Sequence, residues 1–253
     1  MSPTDDLVPV LKKLRLSGTL HSLELRTRQA VDDQMPYAEF LYRLLADEVE
    51  RREAKQLDLR TRRAQFDSHK TLEDFEFAFN AKIPKAKIID LAACHFIARH
   101  DPVLLVGPSG VGKSHLAQAI GQRACRHGYS VLYLTANKLF SELRAARADH
   151  SYDRKLLRFI NPQLLIIDDL GLRALRGEEP EDLYEIIRQR YERASTVITS
   201  NRAIEEWGSL FGDALLASAA MDRLLHHSHV VVMDGDSYRN PPAARRPKPK
   251  QDA

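Results

Sequence analysis

The segment Gly107-Pro-Ser-Gly-Val-Gly-Lys-Ser114 follows directly on the apolar run Val103-Leu-Leu-Val106 and leads into a helix-forming stretch, Ser114-His-Leu-Ala-Gln-Ala-Ile120. A strand, a glycine-rich turn and a helix in that order leave few folds open. The turn has to let successive N–H groups converge on an anion at the positive end of the helix. The pattern is G-x-x-x-x-G-K-S/T, a Walker A loop, and it predicts a bound nucleoside triphosphate. Gly107, Pro108, Ser109, Gly110, Val111, Gly112, Lys113, Ser114 and His115 are the expected contacts. Lys113 is assigned to the β- and γ-phosphates and the Ser114 hydroxyl to Mg²⁺, so ATP and Mg²⁺ are the expected cofactors. The competing reading, a glycine-rich surface turn with a solvated lysine, is disfavoured by the strand before the loop and the helix after it.

Composition narrows the setting. The chain has 253 residues, 43% hydrophobic and 29% charged, enough for one large domain or for one domain and a small appendage. Its apolar runs are far shorter than a membrane span, and Met1-Ser-Pro-Thr-Asp-Asp6 lacks the basic and apolar regions of a secretory signal. A cytoplasmic protein with no membrane partner is expected. The two cysteines, Cys94 and Cys125, form neither a disulfide framework nor a zinc pattern and are expected to be buried. A formal net charge of +3 does not identify a nucleic-acid partner.

From about Asp6 to Arg63 the pattern predicts two or three amphipathic helices, with apolar stripes at Leu7, Val10, Leu11 and Leu14, at Leu20, Leu23 and Leu25, and at Phe40, Leu41, Leu44, Leu45 and Val49. The exposed face carries Arg51, Arg52, Lys55, Arg60, Arg62 and Arg63 interleaved with Glu48, Glu50, Glu53 and Asp58. It reads equally as a salt-bridged solvated face or as a phosphate- or partner-docking surface. Thr71 to Phe79 is rich in phenylalanine, expected to pack in the core rather than line an adenine pocket, and a helical pattern from Ile88 to Phe96 follows.

Beyond it, five apolar runs (Val103 to Val106, Ser130 to Thr135, Leu164 to Ile167, Thr196 to Thr199, Val230 to Met233) alternate with helical stretches around Leu116 to His127, Lys138 to Arg147, Glu181 to Arg193 and Asp213 to His227. Strands this apolar are buried on both faces, which predicts an α/β fold with a parallel sheet covered by helices. The expected domains are a helical docking domain over 1–67, an ATPase domain over 68–239 and a basic, Pro-rich disordered tail over 240–253.

Leu164-Leu-Ile-Ile-Asp-Asp169 is an apolar strand ending in two carboxylates, the form of a Walker B element. Asp168 is the candidate Mg²⁺ ligand and Asp169 the candidate base that orients the attacking water; a plain strand-to-turn ending is the alternative. His226, His227 and His229 carry no metal reading, because no carboxylate or cysteine completes a site. Trp207 is expected in the core.

With Thr199-Ser-Asn201 closing the fourth run, the chain resembles the additional-strand P-loop ATPases of the AAA+ group. That resemblance implies a strand order of 5-1-4-3-2 and makes Asn201 the candidate sensor of the γ-phosphate. It also makes Arg223 the candidate arginine finger, given by one subunit to the nucleotide of its neighbour, with Arg202 and Arg193 in reserve. Asn201 as a helix cap and Asp222–Arg223 as a local ion pair are the competing readings.

The chain is similar to the IstB-like ATP-binding helper proteins of bacterial insertion sequences, relatives of DnaC helicase loaders and DnaA initiators. The text that carries the resemblance is Thr71-Leu-Glu-Asp-Phe-Glu-Phe77, Val103 to Ser114, Leu164 to Gly171, Ile198 to Asn201, Asp222-Arg-Leu-Leu-His-His227 and Gly235-Asp-Ser-Tyr-Arg239. It implies an ATP-dependent homo-oligomer that assembles along duplex DNA, serves the transposase of the same insertion sequence and resets by hydrolysis. A missing or minimal helical lid is also expected, with Arg239 as a stand-in for its sensor 2 arginine. Phosphate-contact candidates are Lys82, Lys85, Lys87, Arg144, Arg147, Arg154, Lys155 and Arg158, the last five flanking an expected loop at Ala148 to Asp153. A replicative helicase loader, a small-molecule P-loop kinase and a nucleotide-gated binding module are the alternatives.

Overall fold

The computed structural model of the chain describes residues 3–240, so the Pro-rich basic tail expected after Asn240 lies outside the described residues. Two compact units, Met1–Leu59 and Arg60–Ala253, divide within one helix. The first unit holds α1 (Pro3–Lys13), α2 (Ser17–Asp32) and most of α3 (Tyr37–Ala64). Gly18 lets α2 lie directly on α3, because a Cβ there would sit 2.8 Å from the Glu48 Cα. Glu48 is buried and accepts the N–H groups of Gly18 and Thr19, which satisfies orphan donors at the start of α2 and places a negative charge at the positive helix end. The expectation that Glu48 belongs to the exposed charged face is therefore corrected. Much of the expected apolar stripe stays open to solvent, including Leu41, Leu45 and Val49.

The second unit begins with the last turn of α3 and a loop with a short 3-10 turn, Phe77–Phe79, followed by α4 (Lys85–Ala92) and α5 (His95–Arg99). The single helical pattern read from Ile88 to Phe96 is two helices, because Cys94 adopts φ 62° between them. Then come β1 (Val103–Val106), α6 (Lys113–Arg126), β2 (Val131–Thr135), α7 (Ala136–Ala148), α8 (Tyr152–Ile160), β3 (Leu164–Leu170), α9 (Glu179–Arg190), β4 (Ser195–Ser200), α10 (Gly208–Phe211), α11 (Ala214–Leu225) and β5 (His229–Val232). The loop expected over Ala148 to Asp153 is shorter, since α8 already starts at Tyr152 and seats Leu156 and Phe159 in the core.

The five strands form one parallel sheet in the order β2-β3-β4-β1-β5, the 5-1-4-3-2 order of an AAA+ sheet. β4 sits in the middle, with Val197 opposite Val103 of β1 and Ile166 of β3. The carboxyl ends of β1, β3 and β4 therefore open side by side, where ligands of open α/β sheets bind. Apolar residues of β1 to β4 are buried on both faces, while β5, at the sheet edge, leaves Val232 exposed; Trp207 joins the core with no exposed surface. Cys94 and Cys125 are buried and free, and burial pushes both thiols up to about 11. No helix among the described residues is long and apolar enough to cross a membrane.

Candidate nucleotide site

The loop after β1 curls back over the start of α6. At Gly110 and Gly112, φ is 85° and 99°, and close neighbours leave no room for a side chain. A Cβ on Gly110 would lie 2.1 Å from the Ser237 Oγ, and one on Gly112 would lie 2.5 Å from the Phe75 ring. The loop is thus wedged between two segments distant in sequence. Among the described residues no hydrogen bond occupies the N–H groups of Gly110, Gly112, Lys113 or Ser114, so they form a row of donors at the positive end of α6. Lys113 is 6% exposed, and its Nζ donates to the Gly107 and Pro108 carbonyls at 2.8 Å each. Burial pulls its pKa below the usual lysine range, against the pull of Asp169 and Asp168. That is a cation held ready for an anion.

Asp168, at the end of β3, is 2% exposed and firmly oriented. Its Oδ1 accepts from the Thr199 hydroxyl, and its Oδ2 lies 2.7 Å from the Tyr133 hydroxyl. That hydroxyl is also 3.1 Å from Asp67 and, with one proton to give, donates to the nearer Asp168 carboxylate. Thr199 also accepts the Asp169 N–H at 2.9 Å, which ties down the left-handed backbone of Asp169 at φ 57°. Burial first, then the charge of Asp168, raises the Asp169 pKa, while Lys113 and Arg239 act in the opposite direction. Tyr133 and Thr199 were not read as site residues from the sequence. Their one signal was a hydroxyl on each of the two strands flanking β3, and β4 carries other hydroxyl residues as well.

Ser109 to His115, Tyr133, Asp168 and Asp169 line one cleft of about 660 Å³, closed on its other side by Phe75, Phe79, Asn80, Tyr238 and Arg239. The phenylalanines are not core residues, as the sequence had suggested. Phe75, Phe77 and Phe79 are all half-buried, and Phe75 and Phe79 face the cleft because their loop crosses it instead of entering the sheet layers. The His115 ring is committed to the Thr71 carbonyl at 2.7 Å, leaving its position in the first turn of α6 as its link to the loop. The donor set suits a magnesium triphosphate, because Mg²⁺ is held by one or two carboxylates or hydroxyls together with phosphate oxygens rather than by an all-protein cage. Ser114 and Asp168 both face the cleft.

Two expected site residues lie elsewhere. Asn201 is exposed just past β4 and is not among the residues lining the cleft. Arg223 sits near the end of α11, where its Nη1 donates to the Ala219 carbonyl at 2.8 Å and its guanidinium lies 5.6 Å from the Tyr184 ring centre. β5, which follows α11, pairs His229 with Val103 at the start of β1, whereas the P-loop leaves the far end of β1. Arg223 and the phosphate cradle of the same chain are therefore at opposite ends of the strands. Of the reserve arginines, Arg202 donates to the Gly171 carbonyl at 2.6 Å and Arg193 is exposed.

Most of the expected phosphate-contact cations already have partners. Lys82 pairs with Asp234, Arg144 with Glu179, Arg147 with Asp182 and Glu178, and both Lys155 and Arg158 with Glu142. Lys87 donates to the Val230 carbonyl, and Lys85 lies over the Phe77 ring.

The sequence profile of the IstB-like ATP binding protein family matches residues 9–245. An insertion-sequence ATP-binding protein of Mycobacterium tuberculosis is 39% identical over 230 residues, covering 90% of this chain and 92% of the relative. The IS21 ATP-binding protein of Pseudomonas aeruginosa is 35% identical over 234 residues, covering 92% and 88%. Among solved structures, DnaI superposes with a TM-score of 0.58 at 24% identity over 66% of this chain and 92% of its own. AMPPCP-bound DnaA from Aquifex aeolicus gives 0.56 at 20% identity, over 68% and 52%. Both likenesses concern the fold.

Proposed function

The chain belongs to the family of IstB-like ATP binding proteins, and from that premise we propose that it is a cytoplasmic, Mg²⁺-dependent ATPase. In this reading it assembles with copies of itself on duplex DNA and helps the transposase of its insertion sequence capture a target. The observation that carries it is the meeting, in one cleft, of the free N–H row, Lys113 and the oriented pair Asp168 and Asp169.

In this reading Lys113 exchanges its loop carbonyls for β- and γ-phosphate oxygens, and Ser114 and Asp168 hold the metal. When bound, Mg²⁺ neutralises charge that builds on the phosphoryl oxygens. Asp169 accepts a proton from the attacking water, its carboxylate kept near Asp168 by the Thr199 clamp. Asn201, exposed beside the carboxyl end of β4, orients that water once subunits close over it. Arg223 cannot serve its own cleft, so its guanidinium is assigned to the nucleotide of a neighbour. The domain over 1–67, with its open apolar positions, is assigned to partner docking.

ATP turnover of the purified protein, measured with and without duplex DNA, tests this reading. Stimulation by DNA that disappears in Arg223→Ala while ATP affinity remains is the expected result. Turnover in Arg223→Ala equal to that of the wild type refutes the trans assignment.

A further inference from the structure

We propose that Asn80 reads the base of the nucleotide, its side-chain amide pairing with the amino and ring-nitrogen edge of adenine. The inference rests on the cleft being an ATP site and goes beyond that reading by naming the residue that sets base specificity.

Asn80 is 5% exposed, and its Nδ2 is the one buried side-chain nitrogen or oxygen among the described residues without a hydrogen-bond partner. Buried amides ordinarily find partners, so an orphan donor on a residue that lines a ligand cleft points to an acceptor supplied by the ligand. The residue is also fixed in place. Its N–H donates to the Phe77 carbonyl at 3.3 Å, and its carbonyl accepts from the Ile83 N–H at 3.1 Å. The amide presses flat on Gly235, where φ is +134° and a Cβ would lie 2.1 Å from both the Oδ1 and the Nδ2. Only glycine admits that approach. A freely swinging side chain would need no such neighbour.

The surroundings suit a flat heterocycle. Phe79 and Tyr238 meet edge to face with ring centres 4.9 Å apart, and Ile83 is buried beside them in the same cleft as the phosphate cradle. Tyr238 is tied to the P-loop through its N–H to the Gly110 carbonyl at 3.0 Å, so the proposed base wall and the cradle move as one. Aromatic and apolar walls with one placed polar group are the usual form of a base pocket.

The choice of adenine follows from the ATP reading of the cleft, and the donor and acceptor order of the amide fits it. An asparagine amide sets an N–H donor beside a carbonyl acceptor, and both adenine edges that carry N6 set an acceptor ring nitrogen beside an amino donor. The N7 edge of guanine offers two acceptors and leaves the Oδ1 facing O6, while its O6 and N1–H edge sets an acceptor beside a donor with the exocyclic and ring positions exchanged, so an amide held in one orientation pairs with one base and not the other. A site built around such a pair rejects a base that leaves it unpaired.

Isothermal titration of the full chain with ATP, GTP and inorganic tripolyphosphate tests the assignment, because tripolyphosphate reports the cradle alone. The wild type is expected to bind ATP about tenfold or more tighter than GTP. Asn80→Asp, which keeps the size but removes the donor, and Asn80→Leu are each expected to weaken ATP about tenfold and leave tripolyphosphate unchanged. Equal wild-type affinity for ATP and GTP overturns the assignment, as does unchanged ATP binding in both variants or parallel loss of ATP and tripolyphosphate. Failure of the wild type to bind either ATP or tripolyphosphate would instead remove the ATP reading of the cleft, and this inference with it.

Discussion

At Asp169 the folded chain carries a carboxylate it would be more stable without. Burial and the charge of Asp168 raise its pKa above that of the unfolded chain, and its backbone lies at φ 57°. A raised carboxyl pKa gives a contribution fully present below the ordinary carboxylate range and lost as pH rises through the folded value, so at neutral pH the ionised group is a cost. Asparagine removes that charge and tolerates the left-handed conformation. Thermal melting of Asp169→Asn at pH 7 is therefore expected above the wild type, with the gap closing toward about pH 4. In the same variant ATP binding persists while turnover falls by roughly a hundredfold or more. Lys113→Ala acts at the other end of the chemistry: loss of the buried ammonium is expected to abolish ATP binding by titration, and retained affinity would exclude the assigned phosphate contact.

At the scale of elements, Arg190 on α9 ties three of them together. It is 1% exposed, and it donates to the carbonyls of Phe159, Ile160, Pro162 and Ser195 and to the Thr196 hydroxyl, with no carboxylate nearby. Burial lowers its pKa, yet it stays protonated at neutral pH. Arg190→Leu leaves those acceptors buried and unpaired, and a stability loss of at least about 3 kcal/mol in urea unfolding is expected. Nothing around Arg190 in the sequence signals this clamp. The strands were legible because continuous apolar runs imply two buried faces, and the P-loop and Asp168-Asp169 were legible because their chemistry is contiguous in the chain. α8 was missed because a short helix anchored by little more than Leu156 and Phe159 leaves too brief a period to read. The far wall of the cleft was missed for a different reason. Phe75, Asn80 and Tyr238 reach the P-loop from segments well separated along the chain, and such contacts leave no local pattern. The ion pairs of the charged candidates were not legible either, since the acids that meet Arg147, Glu178 and Asp182, lie at the start of α9 and just before it.

At the scale of the whole molecule, Arg223 lies at the opposite end of the strands from the phosphate cradle, and in the proposed reading a second copy completes the reaction centre. The proposed assembly would also reconcile the proposed DNA binding with a net charge of only +3, because many weak phosphate contacts add up over several subunits. In the proposed docking domain, Leu41→Ser together with Leu45→Ser is expected to leave ATP binding and melting temperature near wild type while weakening transposase capture in a pull-down, since both side chains are exposed. Electron microscopy of the purified protein on duplex DNA, with an ATP analogue, with ADP and without nucleotide, bears most directly on whether the triphosphate joins neighbouring protomers. Ordered oligomers on DNA with the analogue alone are expected; monomers that ignore the duplex in every nucleotide state at modest salt would contradict it.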